Sequence, residues 1–332
     1  MKRDNVLVIG ARSPIGVELT RTLIKIYGDT RVIVADADAV DTKVAASGRY
    51  EQLDVLDREG LASIIRQNDI TQIFLLPKEF SPGCEQFPLE AWNTMTLGLL
   101  NVLELAKERG IGRVFWPSSV AVYGPDAPKW DCPQDAPANP ATVYGISKIA
   151  GESWCRYYWK KYAVDVRSLR FPGLISHRQE AEEGSFDFAA GMFQGALSND
   201  SYTCFLPEET VLPVMYMTDA VRATVELMDA RASDLSIRGG YNVSAMSISP
   251  GDLALAIQRY LPSFTVSYKP DHRQQIARGW PSNVNDSVAA TDWNWEYSYG
   301  IGETVRHMLM HLAAPMKVKP GSIKELRADI LF

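Results

Sequence analysis

Short apolar runs rich in β-branched residues alternate along this chain with longer stretches whose apolar positions recur every three or four residues. Val6-Leu7-Val8-Ile9, Val32-Ile33-Val34-Ala35, Ile73-Phe74-Leu75-Leu76 and Val114-Phe115-Trp116 read as short buried strands, with another at Gln52-Leu53-Asp54-Val55. Amphipathic helices are expected up to about Tyr27, over residues 58–68 and over residues 89–109. Strand and helix in alternation build a parallel sheet with helices on both faces. The expected fold class is therefore α/β, a doubly wound parallel sheet, with ligand lying across the carboxyl ends of its strands. Residues 1–171 should form this first domain, with segments returning near 211–245, around Leu212 to Met217 and Tyr241 to Ser244. Residues 172–315 should supply mainly a smaller C-terminal domain, and residues 316–332 a tail. The Pro, Asp and Ala-rich stretch from Pro125 to Pro140 suits a surface loop.

The first strand runs into Gly10-Ala11-Arg12-Ser13-Pro14-Ile15-Gly16 and then a helix, the context of a dinucleotide fingerprint. Glycine lets the backbone approach a pyrophosphate, whose charge is stabilised at the helix N-terminus. Asp36, about twenty positions on, closes the second strand, where an acidic side chain suits the ribose diol of NAD and repels the extra phosphate of NADP. An ordinary strand-end aspartate is the competing reading. Asp57 fits the N-cap of the helix after Val55.

Tyr144 and Lys148 open a long helix four residues apart, hence on one face. A free tyrosine titrates near pH ~10, and a fixed cation beside it favours the phenolate, so the pair can take and return a proton. Lys148 can also hold a nucleotide ribose. Ser119 ends the preceding strand 25 residues before Tyr144, and parallel strand ends can bring the two together. Ser118 is the weaker candidate for the same task.

Three segments give these residues a family likeness: Phe115-Trp116-Pro117-Ser118-Ser119-Val120-Ala121-Val122-Tyr123-Gly124, Thr142-Val143-Tyr144-Gly145-Ile146-Ser147-Lys148 and Arg170-Phe171-Pro172-Gly173-Leu174-Ile175-Ser176. Together with the glycine turn and Asp36 they resemble the extended short-chain dehydrogenases/reductases, the NAD-dependent epimerase/dehydratase family, with its Rossmann fold. Within it, these segments and Leu212-Pro213-Val214-Met215-Tyr216-Met217-Thr218-Asp219 are most similar to the short-chain type of L-threonine 3-dehydrogenases. The resemblance implies metal-independent oxidation of the L-threonine 3-hydroxyl to 2-amino-3-ketobutyrate, in threonine catabolism. Tyr144 would be the base, Lys148 its partner and the ribose ligand, and Ser119 the group on the reacting oxygen. NAD would lie against Gly10, Ser13, Pro14, Ile15, Gly16, Asp36, Asp54, Val55, Leu75, Pro172 and Leu174. Substrate would meet Ser81, Arg178 and Phe186, where Arg178 as carboxylate ligand competes with an exposed loop arginine. Departures from the family pattern fall at Ser13 for glycine, at Pro77-Lys78, at Met95, at His177 for tyrosine and at Phe186 for threonine. A sugar-nucleotide epimerase or dehydratase and a non-catalytic dinucleotide sensor are the alternatives.

Composition narrows the partners. Net charge is −6 over 332 residues with no long basic run, which argues against nucleic acid. No apolar run is long enough to span a bilayer. Cys84, Cys132, Cys155 and Cys204 are scattered and read as reduced thiols of a cytoplasmic protein. His307 and His311 have ligand spacing without a third ligand, so a solvated helix face is expected rather than a metal. Trp154, Tyr157, Tyr158 and Trp159 are expected to serve as core and, by the resemblance, as the seam of a homodimer.

Overall fold

The computed structural model describes residues 4–38, 49–76, 81–178 and 187–313, with the side chains of 81–83 outside that description. Seven strands come first in the chain: β1 (Val6–Ile9), β2 (Val32–Asp36), β3 (Arg49–Gln52), β4 (Gln72–Leu75), β5 (Arg113–Phe115), β6 (Ser118–Ser119) and β7 (Val166–Arg167). All but β6 join one sheet in the order β3-β2-β1-β4-β5-β7, every pair parallel. The chain starts at the centre of this sheet, builds one side, then crosses to build the other. The gap between the ends of β1 and β4 is therefore the switch point at which such sheets bind ligand.

β1 is buried throughout because its side chains alternate between two covered faces. Val6 and Val8 pack with Leu19 and Leu23 of the Pro14–Tyr27 helix and with Ala220 and Leu227 of the Met217–Asp229 helix. Leu7 and Ile9 pack on the other face with Leu61 and Ile65 of the Arg58–Gln67 helix and Leu103 of the Gly98–Arg109 helix. The helix expected over 89–109 is interrupted: Pro88–Trp92 passes through a π turn at Asn93–Leu97 before Gly98–Arg109.

The remaining strands are β8 (Leu169–Phe171), β9 (Gly173–Ile175), β10 (Ser201–Cys204), β11 (Leu212–Tyr216), β12 (Tyr241–Asn242), β13 (Met246–Ile248) and β14 (Thr265–Tyr268). Tyr241–Asn242 pairs with β8, which itself pairs with β6, in a three-stranded sheet of its own rather than in the main sheet. Leu212–Tyr216 departs from expectation. It pairs with β9 and β13 in a separate three-stranded sheet, and what returns to the main sheet is the helix that follows it. A second core, with Phe188, Met192, Phe193, Leu253, Ile257 and Phe264, holds the C-terminal part together. All four cysteines are buried, and none forms a disulfide. No described helix is long and apolar enough to cross a membrane.

Candidate active site

The Val143–Tyr162 helix starts at Thr142, whose side chain accepts from the Gly145 amide at 3.1 Å, and Glu85 Oε1 takes the Val143 amide at 2.7 Å. Two otherwise unpaired amides of the first turn are thereby satisfied. Two glycines then let this helix sit on the β5–β6 segment. A Cβ on Gly145 would fall 2.2 Å from the Ala121 carbonyl oxygen, and one on Gly151 would fall 2.2 Å from the Trp116 ring. Gly145→Val should therefore cost about 1–3 kcal/mol of stability, as overpacked sites do. Thermal unfolding of this variant should show a lowered Tm, and its turnover should fall with the displacement of Tyr144.

This close approach places the Tyr144–Lys148 turn against both flanks of Ser119. Lys148 is fully buried, and its Nζ donates to Pro117 O at 2.7 Å, two residues before Ser119. Gly145 abuts Ala121, two residues after it. Lys148 Nζ lies 5.2 Å from the centroid of the Tyr144 ring and 4.8 Å from that of Trp116. Ser119 Oγ accepts from the Ala121 amide at 3.2 Å and caps the turn at Val120–Val122, which leaves its proton to be donated elsewhere. Ser118 is excluded from that task because its Oγ is bonded to buried Glu152 at 2.7 Å.

On the other side of the switch point, Gly10 has φ 79°, a left-handed conformation that side chains rarely adopt, and turns the chain from β1 into the helix. A Cβ on Gly16 would fall 2.4 Å from Gly10 O, so helix and strand pack at glycine distance there. Ser13 caps the helix, its Oγ donating to Gly10 O at 2.8 Å and accepting from the Gly16 amide at 3.1 Å. Its own amide also donates to Gly10 O. Both Ser13 donors therefore turn inward and hold the turn, with Pro14 and Ile15 opening the helix beyond it. The Asp36 carboxylate is mostly buried at the end of β2 and takes the Arg12 amide at 3.1 Å. Asp57 caps its helix as expected, accepting from the Gly60 amide. Asp54 is exposed and accepts from the Leu56 amide at 2.9 Å, while Val55 is buried beside Gly98. Leu75 closes β4, Pro172 lies buried between β8 and β9, and Leu174 packs on the main-sheet core.

The expected substrate contacts are divided. Arg178 is ion-paired with Glu18, so the spare guanidinium expected for a carboxylate is already engaged. Phe186 and Pro77-Lys78 lie outside the described residues, as does the Ser81 side chain. Asp219 is fully buried and holds the amides of Ser298 and Tyr299, both at 2.9 Å, a structural role. Among the described residues, a groove of about 960 Å³ runs along the Phe188–Ser198 helix, and a cavity of about 350 Å³ includes His177 and Tyr216. Neither is lined by Ser119, Tyr144 or Lys148.

His311 is exposed, as expected of a solvated face, whereas His307 is half-buried, and both rings have aromatic neighbours. His311 stacks on His177 with ring centroids 4.2 Å apart, and His307 meets Tyr216 and Tyr299 edge-on. Burial, with His311 next to it, pushes the His177 imidazole down to about 4, and burial lowers His307 as well. Both rings are thus neutral in the fold over a range where the unfolded chain, with its ordinary value of 6.5, takes up protons. The His177 contribution to stability is complete above that value and is lost as pH falls toward 4, and the lowered His307 acts in the same direction. Melting temperatures should fall over this window, and His177→Phe, which keeps a stacked ring, should make the fall shallower. Among the described residues no three His, Cys, Asp or Glu side chains are arranged to hold a metal.

Residues 6–243 match the model of the NAD dependent epimerase/dehydratase family. The chain belongs to this family. A GalE-like L-threonine dehydrogenase from Cupriavidus necator, solved in its holo form, is 47% identical, covers 93% of this chain and 99% of its own, and superposes with a TM-score of 0.90. A monomeric L-threonine 3-dehydrogenase from a metagenome is 39% identical, with a TM-score of 0.88 over 92% of this chain and 98% of its own. An uncharacterized epimerase/dehydratase of Staphylococcus haemolyticus is 36% identical over 92% of this chain and 96% of its own length.

NAD is the cofactor of the family. The residues present fit it: a left-handed glycine turn, a helix N-terminus and a sequestered carboxylate on β2 face the switch point, and a buried ammonium lies on its far side. Within the family site, sequence reasoning missed Glu152 and Arg170, which tie the tyrosine helix to β6 and β8. The available signal was a carboxylate spaced four residues beyond Lys148, on the stripe that must face the sheet.

Proposed function

We propose that this protein oxidises the 3-hydroxyl of L-threonine, giving 2-amino-3-ketobutyrate and NADH. The observation that carries the reading is the pinning of the Tyr144–Lys148 turn to both flanks of Ser119, in a chain 39–47% identical to proteins described as L-threonine dehydrogenases. NAD supplies the hydride acceptor. Ser119 donates its hydrogen bond to the reacting oxygen and Tyr144 Oη takes the hydroxyl proton. The Lys148 ammonium, held by Pro117 O, stabilises the phenolate as it forms and meets the nicotinamide ribose. Gly10, Pro14, Ile15 and Gly16 would cradle the pyrophosphate. Asp36 would hold the adenosine ribose, Asp54 and Val55 would lie on the adenine side, and Leu75, Pro172 and Leu174 would border the nicotinamide half. The reaction belongs to threonine catabolism in a reducing cytoplasm. Purified protein mixed with NAD and L-threonine should generate NADH absorbance; none from folded, NAD-binding protein would sink the reading.

A homodimer is part of the same proposal. Leu89, Leu97, Ile146, Trp154 and Tyr157 on the neighbouring 88–109 and 143–162 helices, with Phe87 just before the first, are exposed, an apolar patch that a second copy would cover. Sedimentation should give twice the 36.9 kDa chain mass, and Trp154→Arg should shift it toward one. Monomeric parent protein, the state ascribed to the metagenome enzyme, would refute the dimer.

A further inference from the structure

Glu152 lies one turn beyond Lys148 and two beyond Tyr144 on the tyrosine helix, and its side chain is completely buried. Its Oε1 accepts from Ser118 Oγ at 2.7 Å and from Arg170 Nε at 2.8 Å, and its Oε2 accepts from Arg170 Nη2 at 2.9 Å. Arg156 approaches Oε2 at 3.5 Å, and a Cβ on Gly240 would fall 2.6 Å from Oε1. Arg170 extends the network, donating to Tyr123 Oη at 2.7 Å, Gln134 O at 2.9 Å and Asn242 Oδ1 at 3.3 Å.

Stability alone is a poor reason for such a pair, because well-packed apolar residues often replace a buried ion pair without loss. What apolar residues would not reproduce is one fixed geometry between three elements: the helix of Tyr144 and Lys148, the strand of Ser118 and Ser119, and β8. In a strand, successive side chains point to opposite sides. A bond that fixes Ser118 therefore fixes the direction of Ser119.

We infer that Glu152 is a positioning residue: through Ser118 and Arg170 it sets the separation and orientation of the Ser119 and Tyr144 hydroxyls. The inference rests on the assignment of those two hydroxyls to the reacting oxygen. Most of the cofactor cradle, around Gly10 and Asp36, is built from other elements, and Lys148 keeps its own bond to Pro117 O, so turnover depends on Glu152 far more than NAD affinity does.

The test compares Glu152→Leu, which accepts no hydrogen bond, with Glu152→Gln, which still accepts from Ser118 but sets an amide donor against Arg170 Nη2. With L-threonine, kcat should fall about a hundredfold in the Leu variant, the scale of an ångström-sized misplacement, and about tenfold in the Gln variant. KM for L-threonine and Kd for NAD should stay within about twofold, so that only kcat separates the variants from the parent. Unchanged kcat in the Leu variant, or parallel loss of kcat and NAD affinity, overturns the inference. Should the Leu variant not fold, a Gln variant as active as the parent overturns it instead. Crystal structures of the parent and the folded variants provide a readout free of activity. The Ser119 Oγ to Tyr144 Oη separation should be longer in the Leu variant, or in the Gln variant where Leu does not fold, and an unchanged separation contradicts the inference. A parent protein inert toward L-threonine defeats the proposed function, and Glu152 is then judged on this separation alone.

Discussion

Tyr144→Phe is expected to lower kcat with L-threonine by about 10²–10⁴-fold, the contribution of a positioned proton acceptor. The change removes one oxygen and leaves the ring that Lys148 Nζ faces at 5.2 Å. Nothing in the turn at Gly10 or in the carboxylate at Asp36 depends on that oxygen, so NAD affinity should stay within about twofold of the parent while turnover collapses. Steady-state kinetics beside a fluorescence titration with NAD checks both halves. Retained turnover would remove Tyr144 from the chemistry; lost NAD affinity would assign it to cofactor binding instead.

Lys148→Met is expected to have the second largest effect, and of a different kind. Methionine follows the path of the lysine stem but places no cation beside Tyr144 and no donor at Pro117 O. The phenolate loses its counter-charge and the ribose loses a ligand, so kcat should fall and KM for NAD should rise together, with kcat/KM lower by about 10²–10³-fold. A Pro117 carbonyl left without its buried donor should also cost about 1–3 kcal/mol of stability. Arginine should not restore activity, because a planar guanidinium does not reproduce the point charge of an ammonium held by Pro117 O at a buried position. Kinetics in NAD and thermal unfolding, on both variants, separate the catalytic loss from the structural one.

The parts of this account that were legible in the sequence are those encoded locally. Strand, glycine turn and helix follow one another within Val6 to Tyr27, and the acid at Asp36 closes the next strand. Tyr144 and Lys148 share a face by helix spacing alone, and Thr142 caps them as a threonine before a helix should. What was not legible depends on partners distant in the chain. Leu212–Tyr216 reads as a buried strand, yet nothing in its residues says that it pairs with Gly173–Ile175 rather than the main sheet. The choice between Ser118 and Ser119 turns on which side of a two-residue strand each occupies, and Glu152 decides it from a helix 34 residues away. His177 and His311 stack only because β9 and the Ile301–Ala313 helix end side by side. Arg178 looked like a free cation for the same reason: its partner, Glu18, belongs to the first helix.

The central claim is hydride removal from C3 of L-threonine with net reduction of NAD. L-Threonine carrying deuterium at C3, incubated with NAD and the purified protein, tests it by mass spectrometry of the cofactor. The account predicts deuterium in the NADH formed and slower turnover than with the unlabelled amino acid. NAD that stays oxidised, or NADH without the label, would contradict it.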